Sequence, residues 1–130
     1  MWKLDTKLKG EQKILKVYQS WILTHFCEQH DIPLGSGEVY NYLKDQNVKI
    51  SRASVIFFLN DLVDDGLLTF EDATGKGGHF RKYINKMPWD DIRLHIAKKL
   101  IQGIADALGS DPWYLISATK LVCEGFESEA

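Results

Sequence analysis

The chain has 130 residues, 45% hydrophobic and 26% charged, which suits one globular domain able to bury a core without a disulfide or metal staple. Its two cysteines, Cys27 and Cys123, are too few for a disulfide-held secreted domain, and no apolar run reaches the roughly 18–20 residues of a membrane span. The first residues, Met1 to Asp5, open no apolar signal segment, so a cytoplasmic setting with reduced thiols is expected. The net charge of −2 argues against a general polyanion binder.

Residues 10–30 read as a first helix, because Ile14, Tyr18, Trp21, Ile22 and Phe26 recur at three- and four-residue steps. Pro33 ends it, since the residue before a proline avoids the helical region. Gly35-Ser36-Gly37 is a turn, and Ser36 caps a short second helix over 36–46 with Val39 and Leu43 one turn apart. Val48-Lys49-Ile50 reads as a brief strand. Ser51 then caps a third helix running to Asp65, with Val55, Phe58, Leu59, Leu62 and Val63 as its inner stripe and Gly66 as its stop. Leu67–Glu71 and His79–Ile84 are β-prone runs around a glycine-rich stretch, Asp72 to Gly78, which predicts a hairpin with a long, mobile tip. After Pro88, the stripe Trp89, Ile92, Ile96, Leu100, Ile104 and Leu108 predicts a fourth helix over 89–108, closed by Gly109 and Pro112. A last short helix is expected over 113–123.

This order of elements is that of a winged helix-turn-helix: mainly α, with a small β-hairpin and a C-terminal dimerisation helix. Such a unit leaves the outer face of its third helix free to enter a DNA major groove, about 12 Å wide. Residues 1–86 are expected to form the winged-helix domain, and 87–130 a helical dimerisation region with an acidic tail. The charge is distributed accordingly. Residues 1–16 hold five lysines against two acids, and residues 105–130 hold one lysine against five acids, so a DNA surface belongs toward the N-terminal side.

On the third helix, Arg52, Ala53, Ile56, Phe57 and Asn60 fall off the apolar stripe and face outward. Arginine can bond guanine O6 and N7 together, and asparagine can do the same to adenine, while Ala53 or Phe57 suits a thymine methyl. Ser51 and Ser54 suit phosphate at the helix N-terminus. In the wing, Lys76, His79, Arg81 and Lys82 surround glycines, Gly77 among them, that let backbone approach phosphate closely. Trp89, Ile92, Ile96, Leu100 and Ile104 are too apolar to face water and are expected to pair two copies.

Other chemistries find little footing. Gly75-Lys76-Gly77-Gly78 precedes a strand and lacks the lysine–serine/threonine ending of a phosphate-binding loop. His25 and Cys27 diverge by about 200° around a helix, and Cys27 with His30 gives too few ligands for a structural zinc. No nucleophile, base and orienter can be assembled, so neither an enzyme nor a cofactor is expected.

The run from Ile50 to Asn60, followed by Leu62-Val63-Asp64-Asp65-Gly66-Leu67-Leu68, resembles the recognition-helix region of penicillinase-repressor-like winged-helix regulators. Gly75 to Tyr83 is similar to the wing of that family, and the likeness spans about residues 10–100. The resemblance implies a dimeric transcriptional repressor on palindromic double-stranded DNA, with a C-terminal helix making the dimer contact. The alternative is a winged-helix protein-interaction module without DNA binding, favoured by the exposed Phe57 and by six bases against five acids over residues 48–86. A third reading makes Trp89, Trp113 and Tyr114 the wall of a ligand pocket.

Overall fold

The computed structural model describes residues 2–109 together with Asp111, Trp113, Tyr114 and Ser117; most of the expected 113–123 helix and the acidic tail lie outside the described residues. A 3-10 turn, Gly10–Lys13, leads into α1, Val17–Glu28. Strand β1, Leu34–Gly35, runs directly into α2, Ser36–Asp45, and α3 follows at Arg52–Asp64. Strands β2, Thr69–Gly75, and β3, Gly78–Ile84, form the wing, and α4 spans Trp89–Leu108. The three strands make one antiparallel sheet in the order β1-β3-β2, with Leu34 opposite Tyr83 and Phe70 opposite that same tyrosine on the other side. This is a winged helix.

Helix boundaries follow from local chemistry. Ser51 accepts the backbone N–H of Ser54 at 3.1 Å and caps α3. At the other end Gly66 takes φ 85°, the Gly66 N–H bonds Val63 and the Leu67 N–H bonds Leu62, the paired closure that a left-handed residue permits. Helix α2 ends the same way with asparagine: Asn47 has φ 58°, and the N–H groups of Asn47 and Val48 bond the carbonyls of Lys44 and Leu43.

Three expectations about elements are corrected. The first helix does not begin at residue 10. The chain is extended at Lys16, whose N–H is accepted by the Gln19 side chain at 3.0 Å, and this lets Leu15 enter the core before α1 starts. Val48-Lys49-Ile50 is not a strand, because the closure at Asn47 turns the chain straight toward α3; the strand beside the wing is Leu34–Gly35. The long loop at 72–78 is absorbed into the hairpin, whose strands pair out to Gly75 opposite Gly78 and leave only Lys76-Gly77 at the turn. Gly78 there has φ 95°.

The core gathers Ile22, Leu23 and Phe26 from α1, Val39 and Leu43 from α2, and Val55, Phe58, Leu59 and Leu62 from α3. Tyr83 joins them from β3, and so do Ile92 and Ile96 from α4. The last two are 1% and 6% exposed within a single chain, which corrects the expectation that they face a second copy. Asn85 is a fully buried polar residue after β3. Its Nδ2 donates to the Phe26 carbonyl at 3.2 Å and its Oδ1 accepts the Met87 N–H at 3.0 Å, tying the exit of the wing to the end of α1.

His25 lies flat on the Tyr42 ring, with centroids 3.7 Å apart, and its Nδ1 is buried without a partner among the described residues. Burial lowers its pKa below 6.5, against a smaller opposing pull from Glu28. The folded imidazole therefore resists a proton that the unfolded chain accepts below about pH 6.5. Its share of stability is complete above that pH and is lost as the pH falls below it. Urea unfolding of the wild type and His25→Phe between pH 8 and pH 5 is expected to give a flatter stability profile for the variant, which keeps the stack but cannot titrate.

Candidate nucleic-acid interface

The outward surface of α3 and the adjoining wing form one continuous face. Ser51, Arg52 and Ala53 are exposed at the start of α3, and Phe57 stands 69% exposed in its middle. Ser51 and Ser54 are bonded to each other, hydroxyl to hydroxyl at 2.8 Å, so both are already engaged in holding the helix start. The Arg52 guanidinium lies across the N-terminus of α2, where a Cβ on Gly37 would meet its Nη2 at 3.3 Å. Ser36, Gly37, Arg52, Gly77 and His79 border an open cleft of about 400 Å³ between that helix start and the wing tip. The sequence reading did not connect the α2 start with this face, although Gly35-Ser36-Gly37 marks a stretch where backbone can be approached closely.

Asn60 does not stand free. Its Oδ1 accepts the Tyr83 hydroxyl at 2.7 Å and the Arg81 Nη1 at 3.2 Å. Guanidinium nitrogens only donate, so the amide oxygen must face the wing. A two-bond contact of Asn60 to adenine, which needs both amide atoms, would therefore require its oxygen to leave Tyr83 and Arg81. Arg81 is further held over the Phe70 ring, 4.1 Å from its centroid, so it joins wing to helix rather than reaching outward alone. Burial pushes the Tyr83 phenol above its ordinary pKa, against a smaller pull from Arg81, and keeps it a neutral donor to Asn60. Tyr83 and Phe70 carry this joint, and neither stood out in the sequence, where both read as ordinary strand aromatics.

The wing's charge is largely balanced along its strands. Glu71 stands opposite Lys82 and Asp72 opposite Arg81, and Lys82 is also 3.9 Å from Glu38 of α2. Lys76, Gly77 and His79 at the tip are exposed. At the far end of α3, Asp65 binds three elements together. Its carboxylate accepts the Trp2 indole N–H at 2.8 Å, meets His95 Nε2 at 3.0 Å and lies 3.8 Å from Lys99.

The candidate metal ligands are separately occupied: His25 stacks on Tyr42, and His30 lies 3.2 Å from Asp31. Among the described residues no three histidine, cysteine or acidic side chains are grouped to hold a metal ion. On α4, Trp89 is half-buried, Leu100 packs partly on the core, and Ile104 and Leu108 are exposed. No helix among the described residues is long and apolar enough to cross a membrane.

No protein-family model matches the chain, and no curated protein sequence matches it. Among solved structures, it is similar to a possible transcriptional regulator from Methanosarcina mazei Go1, with a TM-score of 0.51 and 20% identity over 73% of this chain and 74% of that one. At that identity the likeness is one of fold, and it agrees with the winged-helix arrangement described above.

The helix–wing joint is open to test. Asn60→Ala leaves the Tyr83 hydroxyl buried without its acceptor and is expected to cost about 1–3 kcal/mol in urea unfolding. Adding Tyr83→Phe removes the stranded hydroxyl, so the double variant should be more stable than the sum of the two single losses predicts.

Proposed function

We propose that the chain is a sequence-specific regulator of transcription that binds duplex DNA as a homodimer, in the manner implied by the penicillinase-repressor-like resemblance. The observation that carries this reading is the outer face of α3, which keeps Arg52, Ala53 and Phe57 in solvent beside an anchored wing. A helix so placed fits the major groove, and Lys76 and His79 at the wing tip fit flanking phosphates. Repression on a palindromic site is the form of regulation we propose, and a soluble cytoplasmic setting goes with it.

For the dimer, the exposed end of α4 is the proposed contact. With Ile92 and Ile96 inside the core, the apolar stripe leaves half-buried Trp89 and Leu100 and exposed Ile104 and Leu108 to a partner, and Leu94 is exposed beside them. Two copies on a palindrome double the readout of a face with modest charge, and tethering raises the effective concentration of the second half-site. A winged-helix module that binds another protein is the second reading, favoured by the acid–base register along the wing.

Gel-shift titration on a random pool of duplexes, at two salt concentrations, separates the two. DNA binding is expected to weaken steeply with salt, and Lys76→Ala should lower the slope of log affinity against log salt by about 1. Salt-insensitive or absent binding favours the protein-interaction module. For the dimer, sedimentation of Ile104→Glu is expected to give folded monomers that still unfold cooperatively, because Ile104 is already 43% exposed, with a melting temperature that no longer depends on protein concentration. A wild type that sediments as a monomer at micromolar concentration while binding a half-site tightly would remove the dimer.

A further inference from the structure

The middle of α3 carries a large apolar side chain that the fold does not use. Phe57 is 69% exposed, while its neighbours Phe58 and Leu59 are buried at 2% and 0%. It shares the outer face with exposed Ala53 and half-buried Ile56, and Asn60 follows one turn later. Asn60 has a fixed polarity. Its oxygen is filled by Tyr83 and Arg81, which turns the Nδ2 amide, with two N–H donors, away from the wing joint. The exposed acceptors Asp61 and Asp64 lie on the same side of α3 one and two turns beyond Phe57, toward the C-terminal end of the helix. The flank that Phe57 shares with Asn60 therefore offers an apolar surface together with a hydrogen-bond donor.

The four bases present different partners in the major groove. Adenine needs a donor and an acceptor together from one amide, and the acceptor is taken. Cytosine offers an N–H and carries no methyl for Phe57 to cover. Guanine offers two acceptors and no apolar group. Thymine alone offers an acceptor, O4, beside a methyl group. We infer that, given the DNA-binding reading above, this flank of α3 selects thymine. Phe57 packs on the C5-methyl and Asn60 Nδ2 donates to O4 of the same or the neighbouring base. Phe57 is then a specificity-determining residue, and Arg81 and Tyr83 are positioning residues that set the polarity of Asn60.

The test uses a short duplex recovered from the random-pool selection, synthesised with thymidine or with deoxyuridine, which lacks the methyl and keeps O4. Fluorescence anisotropy at one salt concentration gives the affinities of the wild type and Phe57→Ala. The wild type is expected to bind the thymidine duplex about four-fold more tightly per contacted methyl. Phe57→Ala is expected to bind both duplexes alike, at an unchanged melting temperature. Salt-sensitive wild-type binding that is indifferent to the methyl overturns this inference and leaves the DNA-binding reading standing. Phe57→Ala that keeps the full preference overturns it equally. Absence of salt-sensitive binding to either duplex overturns both. If Phe57→Ala does not fold, Phe57→Gln takes its place, and the wild-type comparison decides the matter by itself.

Discussion

The hydrogen bond from the Tyr83 hydroxyl to Asn60 is the contact on which the functional face depends. Tyr83 is 3% exposed and belongs at once to the core, to the central strand and to the joint with α3. The central strand β3 pairs with both β1 and β2, so fixing this one side chain fixes the whole sheet relative to α3. Without that bond the two surfaces of the candidate interface would be joined only by the exposed Arg81–Asn60 contact and by apolar packing. With it, they are presented at one angle, as the proposed joint use of helix and hairpin on DNA requires. Arg81 strengthens the joint from outside through Asn60 and Phe70.

A second tie secures the same helix one turn further on, where it stops. Asp65 sits where α3 stops, and its carboxylate gathers the N-terminal Trp2 and the α4 residues His95 and Lys99. The C-terminal half of helix α3 is thus held by side-chain bonds to the wing at Asn60 and to α4 at Asp65, while its inner face rests on apolar packing.

Much of this architecture is legible in the sequence because the relevant rules are local. Ser51, Gly66 and Pro88 mark helix ends through capping and backbone preference, and α3 and α4 lie where these residues put them. The misplaced elements are those decided by distant partners. Leu34–Gly35 becomes a strand only because Tyr83 and Lys82 lie opposite it, and Val48–Ile50 fails to become one because nothing does. The break before α1 depends on Leu15 finding a core to fill. At the candidate interface, the outward position of Arg52, Ala53 and Phe57 follows from helical periodicity alone. The engagement of Asn60 does not, because it arises from residues 21 and 23 positions away in the sequence. The apolar stripe of α4 is likewise periodic in sequence, but its division between core and surface is set by the depth to which the rest of the chain covers it.

The sheet order places β2 on the outside, and β1 covers only two residues of β3. Most of the hairpin therefore has open backbone edges, the kind of surface onto which a foreign strand can add. Glu71 and Asp72 sit on that outer strand, and their charges discourage such pairing. The same two acids that dilute the wing's positive charge thus act as gatekeepers against aggregation. A wing made more basic by removing them would gain attraction for phosphate and lose its protection against edge-to-edge association.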